Sequence, residues 1–373
     1  MTDDIRFTPL VRSLPATVPF VGPETLERQR GQVFDARLGA NESVFGPSPA
    51  VLEALAEGGK GIWMYGDPTA FELKGALATH FGIKRENIVV GAGIDGLLDS
   101  TVRLFVTHGD AVVTSDGAYP TFNYHVVGYG GTLTKVPFRD DHEDLDALLE
   151  AAQRLKPKLI YLSNPDNPMG TWHSATKVLS FADALPRETV LVLDEAYSEF
   201  APADALPPLD MSNRRIIRMR TFSKAYGMAG ARVGFALGHP DLVGAYDKVR
   251  NHFGMNRSAL LGARAALADQ AYLQSVIDRV AAARDRIGEI AKAHGLDPIP
   301  SATNFVAIDC KRDGAFARAV LQGLIERGVF VRMPFVAPED RCIRVSAGTP
   351  EMLYAFAAAL PGALKDVEAA CQK

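Results

Sequence analysis

Short apolar runs alternate with longer segments of helical spacing through residues 88–237, and this pattern restricts the fold more than any other feature. Runs typical of buried strands lie at 88–90, 111–114, 159–162, 190–193, 216–219 and 233–237. Segments near 94–106, 143–155 and 176–185 have helical spacing and lie between some of those runs. Strands that are apolar throughout are buried on both faces, as in parallel sheets. The pattern therefore predicts an α/β fold with a mostly parallel sheet sandwiched by helices.

The rest of the chain predicts two further units. Residues 1–48 are rich in Pro and Gly, lack a long periodic segment and are interpreted as an N-terminal arm. Residues 257–294 predict one or two helices, and short strands alternate with helices after them. We place a boundary at residue 255. The large domain is then 49–255, and 256–373 form a small α+β domain with which the arm packs.

Composition narrows the class of protein. The 373 residues have a formal net charge of −4, which provides no basic field for nucleic acid. Cys310, Cys342 and Cys371 are too scattered for a disulfide framework or a zinc site, which favours a reducing compartment and no metal. The N-terminus lacks a secretory signal, and no apolar run is long enough to span a bilayer. We expect a cytoplasmic protein that binds neither nucleic acid nor membrane.

A glycine-rich turn supplies the first candidate site. Residues 91–96 match G-x-G-x-x-G between a predicted strand and a predicted helix, and Asp116 lies 20 residues after Gly96. Taken alone, this satisfies the dinucleotide-binding fingerprint. The physical basis is more general, because glycines and a free helix N-terminus hold any phosphate. The turn predicts a phosphorylated cofactor, and an NAD-dependent dehydrogenase stays open here.

The segment 221–234 supplies the second candidate site. Lys224 lies among small residues after an apolar strand, and a buried amine is costly unless it is neutral or bonded. A covalent bond to an aldehyde removes this cost, and lysine is the usual Schiff-base partner of pyridoxal phosphate. Ser223 can donate a hydrogen bond to the phosphate of that cofactor, and Arg232 can bind it as a charged fork. The segment therefore indicates pyridoxal 5′-phosphate bound at Lys224.

The same segment resembles the lysine motif of fold-type-I pyridoxal-phosphate aminotransferases, S-K-x-x-G-x-A-G-x-R-x-G. The agreeing residues are Ser223, Lys224, Gly227, Ala229, Gly230, Arg232 and Gly234. Other motifs of the family follow the right order between residues 38 and 349, and the chain looks closest to the histidinol-phosphate aminotransferase branch. The resemblance implies an aspartate-aminotransferase-like fold with a seven-stranded sheet.

The resemblance also assigns residues to the pyridine ring. Asn167, in the N-P-D-N-P-M-G stretch, would donate to the phenolic oxygen, and Tyr197 would assist it. Asp194 ends a buried strand and needs a partner, which the ring N–H would provide. Tyr119 would stack on the ring. An alternative register, in which Phe122 stacks instead, stays open.

For the phosphate, the glycine-rich turn points to the helix N-terminus at Gly93, Ile94 and Asp95. A third motif, Y-G-D-P at 65–68, resembles the family's Y-P-D-P, in which the tyrosine reaches the phosphate of a neighbouring subunit. If this carries over, the protein is a homodimer and Tyr65 acts across its interface.

Four residues are implied for the substrate. Arg344, in R-V-S-A-G-T, would clamp an anionic group, and Arg332 resembles a second anion-binding arginine of the branch. Asn41, in L-G-A-N-E, would line the active site. Phe20 stands where the branch has a tyrosine that contacts the substrate phosphate. This departure weakens histidinol phosphate as the donor and favours aromatic amino acids.

The resemblance implies ping-pong transamination from an amino acid or a histidinol-phosphate-like donor to a 2-oxo acid, with 2-oxoglutarate the expected acceptor. An aromatic amino acid aminotransferase and a same-fold amino-acid phosphate decarboxylase are the alternatives. An NAD-dependent dehydrogenase is a remote alternative, because that function gives no role to the motifs at 164–170, 194–197 and 221–234. The sequence does not identify the donor.

Overall fold

The computed structural model describes residues 5–16 and 21–371, and a seven-stranded sheet forms its centre. The strands in chain order are β1 (Ala36–Arg37), β2 (Ile88–Gly91), β3 (Ala111–Ser115), β4 (Thr132–Val136), β5 (Leu159–Ser163), β6 (Val190–Asp194), β7 (Ile216–Thr221), β8 (Gly234–Leu237), β9 (Asp297–Pro298), β10 (Phe305–Asp309), β11 (Val329–Phe330) and β12 (Cys342–Ser346).

The central sheet has the order β2-β8-β7-β6-β5-β3-β4. Only β8 pairs antiparallel with its neighbours, so the predicted mostly parallel sheet is confirmed. Apolar runs located six of the seven strands. The seventh, β4, is an edge strand whose Thr-rich sequence is largely solvent-accessible, and it therefore lacks the apolar signal of a buried strand.

Helices cover both faces of this sheet. The helices of the described residues, in chain order, are α1 (Pro9–Ser13), α2 (Pro23–Arg30), α3 (Pro49–Lys60), α4 (Phe71–Phe81), α5 (Gly93–Phe105), α6 (Pro120–Gly128), α7 (Leu145–Leu155), α8 (Ala175–Ala184), α9 (Pro240–Gly244), α10 (Arg257–Ala268), α11 (Gln270–Ala293), α12 (Gly314–Glu326) and α13 (Pro350–Cys371). Those packed on the two faces of the central sheet include α5 and α6 on one side and α7 and α8 on the other. Within this described part of the chain, no helix combines the length and apolarity that crossing a membrane requires.

Successive side chains of one strand pack on opposite faces of the central sheet. In β5, Tyr161 packs with Leu97 of α5 and Phe122 of α6. Its neighbour Ile160 packs on the other side, in one cluster with Leu148 of α7. Because successive side chains of a strand point to opposite faces, a strand in this position must be apolar almost throughout.

A smaller α+β unit follows the sheet. The stretch 257–294 forms two helices, α10 and α11, which meet at Asp269. Strands β9, β10 and β12 form an antiparallel sheet, and α12 packs against α13. Strand β1 of the N-terminal segment pairs in parallel with β11 of this unit, Ala36 opposite Val329. The division at residue 255 stays a prediction, and this pairing supports packing of the arm with the small unit.

Candidate active site

A cavity of about 320 Å³ lies at the C-terminal ends of the central parallel strands. Strand β6 ends there with Asp194, and β7 ends with Thr221 just before the lysine segment. This edge is where ligands bind in open α/β sheets. The cavity is lined by nine of the predicted cofactor residues: Ile94, Asp95, Tyr119, Asn167, Asp194, Tyr197, Ser223, Lys224 and Arg232.

One end of the cavity is built to hold an anion. Helix α5 begins at Gly93 with no side-chain cap on its N-terminus, so its first N–H groups are available to a ligand. Arg232 Nη1 lies 3.4 Å from Ser223 Oγ, and its Nη2 lies 3.3 Å from Asp95 Oδ2. A Cβ on Gly93 would lie 2.5 Å from Arg232 Nη2. Gly93 has a φ of +74°, a conformation that favours glycine, and the donor set fits a phosphate group.

Lys224 projects into the middle of the cavity. Its Nζ donates to the main-chain oxygen of Asn41 over 3.0 Å and lies 5.5 Å from the centre of the Tyr197 ring. Burial, reinforced by the positive charge of Arg344, lowers the pKa of Lys224 to about 8. A large share of the amine is therefore neutral near pH 8 and can act as a nucleophile or a base.

Asp194 is buried at the floor of the cavity. Its Oδ1 accepts from the main-chain N–H of Ala196 at 2.9 Å, and its Oδ2 accepts from the Tyr161 hydroxyl at 2.6 Å. Burial raises the pKa of Asp194 to about 6 although both bonds favour its ionised form. The donors are neutral, so a cationic ring N–H at this carboxylate would complete the charge balance.

Polar groups beside Lys224 suit a phenolic oxygen. The Tyr197 hydroxyl accepts from Asn41 Nδ2 over 3.1 Å, and burial raises the pKa of Tyr197 to about 12. Asn167 lies across the cavity, where its Oδ1 accepts from Arg344 Nη1 over 2.6 Å. That bond leaves the Asn167 amide N–H groups to donate elsewhere.

The structure separates the two aromatic candidates for stacking. Tyr119 precedes α6, lines the cavity and donates its hydroxyl to Asp95 over 2.9 Å. Burial raises the pKa of Tyr119. Phe122 is fully buried in the core, stacked on Tyr161 with ring centroids 4.7 Å apart. Tyr119 is thus placed at the cavity, and the register with Phe122 at the ring does not fit.

A second cavity of about 220 Å³ shares Lys224, Tyr119 and Asn167 with the first. It contains the predicted substrate residues Asn41, Arg332 and Arg344, and the largely exposed Phe335 lies at its rim. The strand segments of the two arginines are bonded to each other, with the N–H of Arg344 2.6 Å from the Arg332 oxygen.

Arg344 carries an unused donor. Its Nη2 reaches the Gly39 oxygen at 3.4 Å, while its buried Nε has no hydrogen-bond partner among the described residues. Burial, with the nearby charge of Arg332, lowers the pKa of Arg344 to about 10. Arg332 donates to the Val21 oxygen at 2.7 Å. Two adjacent guanidinium groups, one with a free buried donor, attract an anionic substrate group.

Two of the predicted site residues that the structure describes, Gly93 and Tyr65, do not line either cavity. Tyr65 is 80% exposed and its ring lies 4.9 Å from that of Phe253. Phe20 lies outside the described residues. Asp116, the ribose-binding residue of the dehydrogenase interpretation, instead pairs with Lys135 on the surface at 3.3 Å.

The sequence interpretation missed Ser163, which lines the first cavity, and the buried residues Tyr161 and Glu143 bonded to it. Their strand and loop positions gave no motif, because their roles come from contacts between neighbouring strands. Glu143 Oε1 accepts from the Ser163 N–H at 2.8 Å, and its Oε2 accepts from Ser115 Oγ at 2.5 Å. Burial raises the pKa of Glu143 to about 7. A polar end to an otherwise apolar strand, Tyr161-Leu162-Ser163, was the available signal.

Comparison with known families agrees with this geometry. The family described as Aminotransferase class I and II matches residues 36–360. The chain therefore belongs to the class I and II aminotransferases, which confirms the predicted fold type, enzyme class and pyridoxal-phosphate dependence.

Individual relatives are similar along almost the whole chain. Histidinol-phosphate aminotransferase 1 of Mesorhizobium japonicum is 37% identical over 331 residues, covering 87% of this chain and 89% of the relative. Histidinol-phosphate aminotransferase of Moorella thermoacetica is 32% identical, covering 94% and 91%. The crystal structure of histidinol-phosphate aminotransferase from Sinorhizobium meliloti in complex with pyridoxal-5′-phosphate has a TM-score of 0.95 at 55% identity, covering 97% and 98%. Aspartate aminotransferase of Thermus thermophilus, at 21% identity and TM-score 0.80, shows the shared fold.

Proposed function

We propose that this aminotransferase moves the amino group of histidinol phosphate to a 2-oxo acid, with 2-oxoglutarate as the acceptor. The observation that carries the proposal is the pair of adjoining cavities, which share Lys224 and have Asp194 in one and Arg344 in the other. The relatives named histidinol-phosphate aminotransferase support the choice of donor.

The residues of the first cavity would hold the cofactor. The N-terminus of α5 with Ser223 and Arg232 would bind its phosphate, and Asp194 would accept from its ring nitrogen. Asn167 and Tyr197 would donate to its phenolic oxygen. When bound, pyridoxal 5′-phosphate supplies an aldehyde and an electron-accepting ring.

We assign to Lys224 the transfer of the proton on the donor's Cα. Its neutral amine would act as the general base that takes the proton from the donor's Cα. The Asn41 oxygen, which accepts from Nζ in the structure, fixes the position of the amine within the cavity. Because burial lowers the pKa of Lys224 to about 8, the protonated amine can return the proton under the same conditions.

The second cavity would bind the remainder of the donor. Arg332 and Arg344 provide the positive charge for a phosphate, and the free Nε of Arg344 offers it a buried donor. The exposed ring of Phe335 at the rim favours a flat substrate ring, either the imidazole of histidinol phosphate or an aromatic side chain. This apolar rim is the observation that keeps aromatic amino acids as the second candidate donors.

A screen of amino donors with 2-oxoglutarate tests the proposal. We expect the highest kcat/KM for histidinol phosphate, ahead of Phe, Tyr and Leu, because only that donor carries the phosphate for two arginines. Arg344→Ala should raise KM for histidinol phosphate by about 10- to 100-fold, since it loses a charge-assisted contact. A preference for Phe or Tyr would assign the enzyme to aromatic amino acids. Release of CO2 from an amino-acid phosphate, without a 2-oxo acid requirement, would assign it to the decarboxylases.

We further propose a homodimer in which Tyr65 of one subunit reaches the cofactor phosphate of the other. Exposed apolar side chains surround Tyr65, among them Ile62, Trp63 and Phe253. A cluster of exposed apolar side chains of this kind is typical of a protein interface. Because Tyr65 lies outside the cavities of its own chain, a contact to the phosphate requires a second copy.

Mixed dimers test this arrangement. Tyr65→Phe should weaken binding of pyridoxal phosphate by about tenfold or more, because one hydrogen bond to a charged group is lost. Subunits carrying Tyr65→Phe, when exchanged with subunits carrying Lys224→Ala, should regain one intact site per mixed dimer. Tyr354→Phe, an exposed tyrosine on α13, is the matched control with unchanged affinity. If mixing restores nothing, Tyr65 acts within its own subunit or not at all.

A further inference from the structure

Tyr161 lies directly behind Asp194 in the neighbouring strand. Strands β5 and β6 pair in parallel, and Ser163 is opposite Asp194. The Tyr161 side chain is fully buried, with its ring stacked on Phe122 at an interplanar angle of 18°. This packing leaves the ring one orientation, in which the hydroxyl lies 2.6 Å from Asp194 Oδ2. The contact is therefore built into the core rather than formed by a mobile side chain.

The direction of the hydrogen bond is fixed by a third residue. Ser163 Oγ donates to the Tyr161 oxygen over 3.3 Å, so the tyrosine proton is left for Asp194. An ionised carboxylate only accepts hydrogen bonds, which agrees with this direction. Successive donors in a line polarise one another toward the final acceptor. The row Ser163, Tyr161, Asp194 thus ends on the carboxylate that faces the cavity.

We propose that Tyr161 is a positioning residue of the transamination site, whose hydroxyl keeps the Asp194 carboxylate ionised and aimed at the ring nitrogen of pyridoxal phosphate. The inference rests on the cofactor assignment above. Hydrogen bonds from Tyr161 and from the Ala196 N–H occupy one position on each carboxylate oxygen, and this fixes the plane of the carboxylate. Asp194 has no arginine or lysine as a hydrogen-bond partner among the described residues, so neutral donors must stabilise its charge.

Other ionisable groups act on Asp194 and have to be separated from Tyr161. Glu195 follows it in the chain, and its charge is compensated by bonds to Arg218 and Arg220. The remaining groups that interact with Asp194 are Asp95 on α5, Glu143 in the loop before α7, Tyr197 after β6 and Lys224 after β7. Glu143 is the one to control for, because burial raises the pKa of Glu143 to about 7, close to that of Asp194.

The test is the pH dependence of binding of pyridoxine 5′-phosphate to the protein freed of cofactor. This probe has the ring nitrogen and the phosphate but no aldehyde, so its affinity does not depend on a bond to Lys224. Tyr161→Phe keeps the stacked ring and removes the donor. Since Asp194 then holds its proton to higher pH, we expect the acid midpoint of binding to move up by about one pH unit. On the acid side of both midpoints the affinity of the variant is then about tenfold lower.

Matched variants separate a specific effect from loss of packing. Tyr246→Phe also removes a fully buried hydroxyl of the same core cluster, one bonded to Thr101 at 2.5 Å and not to Asp194, and should leave the midpoint in place. Ser163→Ala, which retains the tyrosine, should move the midpoint in the same direction by a smaller amount. It also provides the measurement if Tyr161→Phe does not fold.

Equal midpoints for wild type and Tyr161→Phe would overturn the proposal, as would an equal shift in Tyr246→Phe. The same holds if the shift vanishes in a Glu143→Gln background, because the midpoint would then belong to Glu143. A wild-type protein that binds no probe at any pH would overturn the cofactor assignment and this inference together, whereas equal midpoints with good binding refute the role of Tyr161 alone.

Discussion

Replacement of Lys224 by alanine is expected to abolish transamination while the fold and some binding of pyridoxal phosphate remain. The variant loses both the amine that bonds to the cofactor and the base that moves the Cα proton, so kcat should fall by about 10⁴-fold or more. The contacts proposed for Arg232 with the phosphate and for Asp194 with the ring nitrogen do not involve the lysine, so noncovalent binding should remain. The measurement is the rate of amino transfer to 2-oxoglutarate, together with covalent labelling after borohydride reduction.

Lys74 provides the matched control for this variant. It lies on α4, outside both cavities, and burial lowers the pKa of its amine as well. We expect Lys74→Ala to retain activity, and borohydride to attach the cofactor to this variant and to the wild type but not to Lys224→Ala. Turnover near the wild-type rate in Lys224→Ala would mean that the base lies elsewhere.

Replacement of Asp194 by asparagine should lower kcat by about 10²- to 10³-fold, because a neutral amide no longer holds the proton on the ring nitrogen. The effect on stability has the opposite sign. Burial raises the pKa of Asp194 to about 6, so the carboxylate is ionised at pH 8 and its burial opposes folding. Without cofactor, Asp194→Asn should therefore unfold at pH 8 at a temperature no lower than the wild type.

The local contacts of Asp194 permit this substitution. The asparagine Oδ1 can accept from the Ala196 N–H, and its amide can donate to the Tyr161 oxygen. Asp116→Asn is the control that discriminates the dehydrogenase alternative, since Asp116 would bind ribose there but forms a surface ion pair here. Full activity of Asp194→Asn, or loss of activity in Asp116→Asn, would contradict the proposed site.

The fold was predictable where the physical signal is local. Strands β5 and β6 are buried on both faces, and this forces continuous apolar runs that can be recognised without a structure. Strand β4 pairs with one strand and is widely exposed to solvent. Polar residues are therefore tolerated in it, and it lacks the continuous apolar run that marks a buried strand. The two helices within 257–294 have one periodicity, and only the structure shows the break at Asp269.

The site was predictable to the extent that its chemistry is contiguous in the chain. Ser223, Lys224 and Arg232 lie in one segment and line one cavity, so their spacing alone forms a recognisable motif. Stacking at the ring needed the tertiary structure, which placed Tyr119 at the cavity and Phe122 in the core.

The sequence by itself determined the α/β class, the strand ends that carry polar residues and the lysine chemistry, because each depends on neighbours within a few positions. The tertiary structure decided which distant groups set the properties of those residues. Lys224 bonds to the oxygen of Asn41, 183 positions away, and Arg344 bonds to Asn167. The hydroxyl that donates a hydrogen bond to Asp194 belongs to Tyr161 in the adjacent strand. Burial and hydrogen bonding fix a pKa, and both depend on how strands and domains pack rather than on the order of residues.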